Sequence, residues 1–129
     1  MMMRIFQVAA ALAALAIAAP AASQSGWTRL GQREVNDSVE RDTIRARGST
    51  QFRQVMICVE EAPVRFLDVV IRFRNGSTQD VRLRSLIRAG ACSRDIGLRG
   101  RSRDIDTVDF TYEAASLGRG RARVDLFAR

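Results

Sequence analysis

Residues 67–84 read LDVVIRFRNGSTQDVRLR and contain two alternating runs around a turn signal, Asn75-Gly76. The first run places an apolar residue at every second position: Leu67, Val69, Ile71 and Phe73. The second run repeats this pattern with Val81 and Leu83. Because successive side chains of a strand point to opposite faces, the alternation predicts a hairpin of two strands with their odd-numbered residues in the core.

The register of this hairpin has two alternatives. Pairing Arg72 with Arg82 would set like charges opposite each other. Pairing Arg72 with Asp80 also places Asp68 opposite Arg84, and opposite charges in cross-strand pairs stabilise a sheet by roughly 0.2–1 kcal/mol each. We therefore predict the second register, with a loop centred on Gly76.

The same period of two recurs along the chain. Apolar residues alternate within 55–59, 108–112 and 122–126, and glycine-containing turn signals such as Ala89-Gly90 separate the runs. Short alternating runs with regularly spaced turns are typical of β-sandwiches and barrels. The sequence therefore predicts one all-β domain over residues 24–129, a single small antiparallel β-sandwich.

Residues 1–23 have the three parts of a secretory signal peptide: a short start that ends in Arg4, an apolar run over 5–19, and small residues after Pro20. The apolar run is shorter than the roughly 20 residues of a membrane-spanning helix. We therefore predict a helical leader that is cleaved after Ser23, or alternatively after Ala21, and no stable membrane anchor. The mature protein would be periplasmic or secreted.

Arginine is the basic residue throughout: the chain has 21 basic residues, no lysine and no histidine, and a formal net charge of +7. Without histidine or lysine, Ser-His-Asp triads, Cys-His pairs and lysine Schiff bases are not available. We therefore predict that the protein is not an enzyme and that it requires no cofactor and no metal.

Arginines on predicted outward strand positions would form one basic face if their strands share a sheet. They are Arg72, Arg74, Arg82, Arg84, Arg121 and Arg123. The segment 93–106, SRDIGLRGRSRDID, adds Arg99, Arg101 and Arg103. Because a guanidinium group binds carboxylates and phosphates through paired donors, the predicted partner is an anionic envelope glycan, a lipid head group or an acidic protein.

Nucleic acid is excluded as a partner on two grounds, export and the scarcity of base-stacking aromatic residues. The sequence does not indicate an oligomeric state. The same arginines also have a structural interpretation, in which acidic neighbours pair with them on a solvated face. In this interpretation Asp42 forms an ion pair with Arg94 or Arg103.

Two further features have alternatives. Cys58 and Cys92 are either joined by a disulfide, which would stabilise the fold by roughly 3–4 kcal/mol through chain entropy, or are buried free thiols. Asp42 together with Asp104 or Asp106 is the candidate acid pair of a hydrolase, which would require the two carboxylates to lie about 5–9 Å apart in a cleft.

The chain resembles a family of small exported bacterial proteins that is classed as a domain of unknown function. The resemblance begins at Trp27 and runs close to the C-terminus. The residues that carry it are mainly Leu30-Gly31, the run 41–44 (RDTI), Ala89-Gly90, Ser93-Arg94, Ile96, Leu98, Gly100, Arg103, Ile105, Val108, Phe110 and Tyr112. It implies a small β-sandwich outside the cytoplasm and no assigned activity.

The leader yields a direct prediction. When the complete chain is expressed in a bacterium with a Sec pathway, intact mass and N-terminal sequencing should show a soluble protein that begins at Gln24. A protein that keeps Met1 and stays in the membrane fraction would contradict cleavage.

Overall fold

The computed structural model describes residues 26–37, 40–48, 50–113 and 120–129, so the predicted leader lies outside the described residues. Within them every regular element is a strand. The strands are β1 (Thr28–Asn36), β2 (Arg41–Arg45), β3 (Gln51–Phe52), β4 (Gln54–Glu60), β5 (Val64–Phe73), β6 (Thr78–Asp80), β7 (Ser85–Ile87), β8 (Ala91–Cys92), β9 (Ile96–Gly97), β10 (Arg103–Glu113) and β11 (Arg121–Ala128). This part of the chain contains no helix long and apolar enough to cross a membrane.

The strands form two antiparallel sheets, which confirms the predicted fold class. Sheet A has the order β1-β11-β4-β8, with β9 also paired to β4. Sheet B has the order β2-β10-β5-β6, with β3 paired to β10 and β7 paired to β5. Because the chain passes from β1 in sheet A to β2 in sheet B, and again from β4 to β5, neither sheet is a separate unit of the sequence.

The core lies between the sheets and takes side chains from both. Phe66, Phe110 and Tyr112 of sheet B are fully buried, as are Ile57 and Leu126 of sheet A. The rings of Phe66 and Phe110 meet edge to face, with their centroids 5.7 Å apart. Full burial of a large apolar side chain stabilises a fold by roughly 1.5–3 kcal/mol, so these residues hold the two sheets together.

β-Bulges in the long strands β5 and β10 change which face of the sheet the odd-numbered side chains occupy. In β10 the pairing shifts between Ile105 and Thr107, so odd-numbered Ile105 and even-numbered Val108 are both buried. In β5 a shift near residue 67 buries Phe66 and leaves Leu67 half-buried. Leu67 was predicted to begin the core alternation, and that prediction is wrong because one extra residue moves the side chains to the other face.

The hairpin at Asn75-Gly76 adopts a register that differs from the predicted one. Arg72 is opposite Thr78 and Val70 is opposite Asp80, so the predicted pairing of Arg72 with Asp80 is wrong. The turn determines the register. The Phe73 N–H donates to the Ser77 carbonyl at 2.9 Å, the Gly76 N–H donates to the Phe73 carbonyl at 2.9 Å, and Gly76 has a φ of +92°.

A three-residue loop that ends in a left-handed glycine is a common hairpin connection. Its backbone geometry therefore outweighs the small energies of exposed charge pairs. Both odd-numbered core residues next to the loop, Ile71 and Phe73, are buried as predicted.

The second predicted strand of the hairpin is interrupted. Val81 and Leu83 are buried as predicted, but they lie between β6 and β7 and belong to neither strand. The Asp80 carboxylate accepts a hydrogen bond from the Arg82 N–H at 3.0 Å, and Arg82 has a φ of +55°. This left-handed residue ends the extended backbone.

Cys58 on β4 and Cys92 on β8 are opposite each other and are joined by a disulfide bond. The structure thus contains the cross-link rather than two free thiols. Strand β8 has only two residues, and the disulfide adds to the hydrogen bonds that flank it, in which the Gly90 N–H donates to the Val59 carbonyl and the Ser93 N–H to the Ile57 carbonyl, both at 2.7 Å.

The outer strands of the two sheets meet at Gly31. A Cβ atom at this position would lie 2.8 Å from Cγ2 of Ile44 and 2.9 Å from the carbonyl oxygen of Arg45. Only glycine fits, because one of these neighbours is backbone and cannot rotate away. The close approach of β1 to β2 therefore depends on Gly31.

Gly31→Ala should lower the free energy of unfolding by about 1–3 kcal/mol through overpacking, measured by urea denaturation. Gly97→Ala is the matched control, since a Cβ there meets no atom within 4 Å, and it should change stability by less than about 0.5 kcal/mol. Equal effects of the two substitutions would show that the close approach is not what requires glycine at position 31.

Candidate anion-binding site

Arginines gather at one end of the sandwich. Backbone hydrogen bonds bring its segments together: the Arg47 N–H donates to Leu30, the Arg53 N–H to Arg129, and the Leu98 N–H to Arg53. The arginines at this end are Arg29, Arg45, Arg47, Arg53, Arg74, Arg99, Arg101, Arg103 and Arg129. They outnumber the acidic residues of the same segments, which are Asp95, Asp104 and Asp106. We call this region the basic end.

The predicted single basic face does not form. Arg72 lies on β5 of sheet B, with Arg82 and Arg84 in the segment that follows β6, whereas Arg121 and Arg123 lie on β11 of sheet A. The prediction required these strands to share a sheet. Alternation indicates which face of its own sheet a residue occupies, but it does not indicate which sheet the strand joins.

A groove of about 670 Å³ follows the edge of the sandwich between β1 and β2. Its arginines are Arg29, Arg33, Arg45 and Arg47, and none of the described residues that line it is acidic. The other lining residues are Leu30, Gly31, Gln32, Thr43 and Ala46. We call it the edge groove.

An ion pair joins the two sheets beside the edge groove. Arg33 Nε lies 3.0 Å from Asp42 Oδ1, and the Tyr112 hydroxyl donates to Asp42 Oδ2 at 3.1 Å. Burial, together with the hydrogen bond to Asp42, raises the pKa of Tyr112 above its usual range. Asp42 was predicted to pair with Arg94 or Arg103. That prediction is wrong because β1, which carries Arg33, is the strand that faces Asp42.

The remaining arginines of the edge groove are weakly engaged. Arg45 and Arg29 lie 3.8 Å from Asp106 and Asp125, and their side chains are 79% and 53% exposed. Arg47 is exposed and forms no ion pair within the part of the chain that the structure describes. These guanidinium groups can therefore turn toward a ligand.

Two other arginines at the basic end hold its loops. Arg74 donates to the Gly48 carbonyl at 2.6 Å and pairs with Asp104 at 3.3 Å and with Asp106 at 3.5 Å. Its contacts tie the loop after β2 to the beginning of β10.

Arg103 stacks 3.7 Å above the Phe73 ring and donates to the Arg99 carbonyl at 2.9 Å and to the Ser77 hydroxyl at 2.8 Å. Arg103 was predicted to bind an anion or to form an ion pair. Among the described residues its acceptors are neutral oxygens, and it joins the β9–β10 loop to the β5–β6 hairpin.

A second basic pocket, of about 750 Å³, lies on the other side of the same end. It is lined by Arg53, Gln54, Gly97, Leu98, Arg101 and Arg129. Arg129 donates to the Gln54 side chain at 2.9 Å, pairs with Asp95 at 3.3 Å and stacks 4.5 Å from the Trp27 ring. Of the predicted loop arginines, Arg101 enters this pocket. Arg53 and Arg129 were not predicted, because only the sheet register brings them beside Arg101.

Gln79 fixes the loop that carries Arg99 and Arg101. It is buried on β6, donates to the Gly97 carbonyl at 3.0 Å and accepts from the Arg99 N–H at 2.9 Å. A buried amide has to satisfy its donors and acceptors, and here both partners come from one loop. Gln79 therefore fastens sheet B to the loop that follows β9.

Known proteins resemble this chain in sequence and in fold. The model of the family described as "Domain of unknown function (DUF2541)" matches residues 8–128, so the match begins inside the predicted leader. The chain belongs to the DUF2541 family. The predicted resemblance to a family of unknown function is therefore confirmed. No curated protein sequence matches the chain.

One similar solved structure comes from a structural and functional characterization of Pseudomonas aeruginosa AlgX. It superimposes on the DUF2541 chain with a TM-score of 0.50 and 13% identity, and the match covers 79% of the DUF2541 chain and 26% of the AlgX chain. At this identity the similarity concerns the fold alone.

The candidate acid pair of a hydrolase does not come together in this DUF2541 domain. Asp42 is opposite Phe110 on β10, while Asp104 and Asp106 lie at the start of the same strand. Four to six positions along a strand correspond to roughly 13–20 Å. Asp42 is instead engaged by Arg33 and Tyr112, and both of the other carboxylates are engaged by Arg74. In the described residues no cluster of three or more His, Cys, Asp or Glu side chains could hold a metal ion.

Arg82 and Arg84, two further predicted anion-binding residues, lie beside a pair of carboxyl groups. They line a pocket of about 540 Å³ together with Asp68 and Asp80. The hydrogen bond between the two carboxyl groups raises the pKa of Asp68 and lowers the pKa of Asp80. These acids reduce the positive charge of the pocket, so it suits an anion less well than the edge groove does.

The Asp68–Asp80 pair can be tested by a carbon-13 NMR titration of side-chain carboxyl groups. Asp68 should titrate above the usual range of an aspartate and Asp80 below it. In Asp80→Asn, the pKa of Asp68 should fall, because the protonated Asp68 loses the hydrogen bond to the Asp80 carboxylate and the charge of Asp80 no longer opposes its ionisation. Unchanged titration of Asp68 in that variant would contradict the pair.

Proposed function

We propose that this DUF2541 domain is an exported, non-catalytic binding module that holds an anionic glycan of the cell envelope at its basic end. The observation that carries the proposal is the edge groove, a concave surface with four arginines and no acidic residue in its lining. Guanidinium groups bind carboxylates and phosphates through two parallel hydrogen bonds, so the groove suits a chain that carries such groups at intervals.

The other lining residues favour a glycan over the remaining anionic partners. The Gln32 side chain accepts from Arg29 at 3.1 Å and keeps its N–H donors for sugar hydroxyls, and the Thr43 hydroxyl donates to Asp109 at 2.6 Å and keeps its oxygen as an acceptor. The methylene stems of the groove arginines offer apolar contact to the C–H face of a ring. A groove accepts an extended chain along its length, whereas a lipid surface would reach only the protruding arginines. Acidic proteins and lipid head groups are therefore alternatives for the experiment to reject.

The second basic pocket would strengthen binding of a polymer. It shares the basic end with the edge groove and adds Arg53, Arg101 and Arg129. Two linked contacts raise the affinity of a chain well above that of a single contact, provided that the chain can span both sites. Short fragments of the glycan should thus bind weakly.

The predicted export of the protein supports a glycan of the cell envelope as the ligand. The predicted signal peptide and the disulfide between Cys58 and Cys92 both fit an oxidising compartment outside the cytoplasm, so the proposal includes a periplasmic or secreted location. In that location the polyanions within reach are glycans and lipids rather than nucleic acids.

Calorimetric titration with polygalacturonate, a carboxylated glycan, should show binding that weakens steeply as salt is raised, and neutral dextran should not bind. Arg45→Gln with Arg47→Gln should weaken binding at least about tenfold, because each lost charge-assisted contact is worth about 1.5–3 kcal/mol. Arg88→Gln with Arg121→Gln removes the same charge at the opposite end and should change affinity by less than about twofold.

If the two double variants lose affinity equally, the glycan responds to the net charge of the protein and not to a defined site. Binding to phosphatidylglycerol vesicles or to polyglutamate in preference to polygalacturonate would reject the glycan. Absence of binding to any of these polyanions at low salt would reject the whole proposal.

A further inference from the structure

The outer face of sheet A carries a row of four residues that begins beside the edge groove. The register places Gln32 of β1 opposite Asp125 of β11, Asp125 opposite Cys58 of β4, and Cys58 opposite Cys92 of β8. Opposite residues of an antiparallel pair point to the same face with their Cβ atoms roughly 4.5–5.5 Å apart. The disulfide thus has a carboxylate as its neighbour in the row.

The two sulfur-bearing residues have different surroundings. Cys92 is exposed on the two-residue strand β8 at the edge of the sheet, whereas Cys58 is buried, with 6% exposure. A thiolate in solution can reach the bond from the Cys92 side. Exposed disulfides are more often the reactive ones, whereas buried ones resist reduction.

Asp125 is the unusual member of the row. Its side chain is 5% exposed, and its Oδ2 accepts from Arg123 Nε at 3.2 Å. Among the described residues its Oδ1 is buried without a hydrogen-bond partner, and Arg29 Nη1 lies 3.8 Å from it. A buried carboxylate oxygen with no hydrogen bond is costly, so the two neighbouring arginines leave Oδ1 incompletely satisfied.

We propose that Cys58 and Cys92 form a redox-active disulfide that exchanges with the dithiol of a partner protein. Cys92 is the sulfur that is attacked, and Asp125 exchanges a proton with Cys58. Such an exchange requires a sulfur that a thiolate can reach, which Cys92 provides, and a neighbouring carboxylate can assist it by exchanging a proton with the buried thiol.

The exchange balances as follows. A thiolate of the partner attacks Cys92 Sγ, the S–S bond breaks, and its electron pair leaves on Cys58 Sγ, which takes up a proton. The second thiol of the partner then loses its proton and attacks the partner sulfur that is bound to Cys92. Cys92 Sγ leaves with the electron pair and takes up a proton. The partner is oxidised to a disulfide by loss of two electrons and two protons. In the reverse direction, Asp125 accepts the proton of Cys58 so that its thiolate can close the bond again.

The first test maps the site of attack. The folded protein is incubated with glutathione, quenched with acid and analysed by peptide mass mapping. We expect the glutathione adduct on Cys92. An adduct confined to Cys58, or a disulfide that is reduced only after the chain is unfolded in denaturant, would overturn the proposal.

The second test concerns Asp125. The rate at which the reduced protein reduces an aromatic disulfide should fall at least about tenfold in Asp125→Asn, since positioned proton transfer contributes substantially to such reactions, and its pH profile should change shape. Asp109→Asn, on the outer face of sheet B, should leave rate and profile unchanged. An Asp125→Asn protein that folds, as shown by thermal unfolding, and keeps the original pH profile would remove Asp125 from the mechanism.

The mapping of the attack on Cys92 does not involve the basic end, whereas Asp125 lies 3.8 Å from Arg29 of the edge groove. Glycan binding should persist when the disulfide is reduced, so failure of the redox proposal and failure of the binding proposal can be told apart.

Discussion

Arginine keeps its charge at any working pH, and this chain has no other basic side chain. Every guanidinium group must therefore face water or an oxygen atom. Arg33 meets Asp42 where the two sheets come together, Arg74 meets the Gly48 carbonyl, and Arg103 meets the Arg99 carbonyl and the Ser77 hydroxyl. The contacts of Arg74 and Arg103 join the loops at one end of the sandwich, and the arginines not used in this way leave that end with an excess of positive charge.

Much of the fold could be predicted from local alternation. The burial of Ile71 and Phe73 follows directly from a period of two, and so does the antiparallel all-β class. The register at Asn75-Gly76 could not be predicted from charge, because exposed cross-strand pairs contribute less than about 1 kcal/mol while the turn allows few backbone conformations. The bulge in β10 leaves a signal that can be read, since Ile105 and Val108 have opposite parity yet both are apolar.

The candidate site was harder to predict because its parts are distant in sequence. Arg101 could be proposed from its own loop. The edge groove forms because β1 and β2 are outer strands of different sheets, and Gly31 lets them approach closely. In the same way, Asp125 meets Cys58 only through the pairing of β11 with β4. Alternation indicates the face that a residue occupies, and the pairing of distant strands decides its neighbours.

Amide chemical-shift mapping is the most direct test of the proposal that anions bind at the basic end. The isotope-labelled protein would be titrated with a carboxylated glycan at low salt and then returned to high salt. The account predicts reversible shifts at Gly31, Arg45, Arg47 and Gly97, with residues of the opposite end unchanged. Shifts centred on the outer face of sheet B, at Arg72 and its neighbours, or no shifts at all, would contradict it.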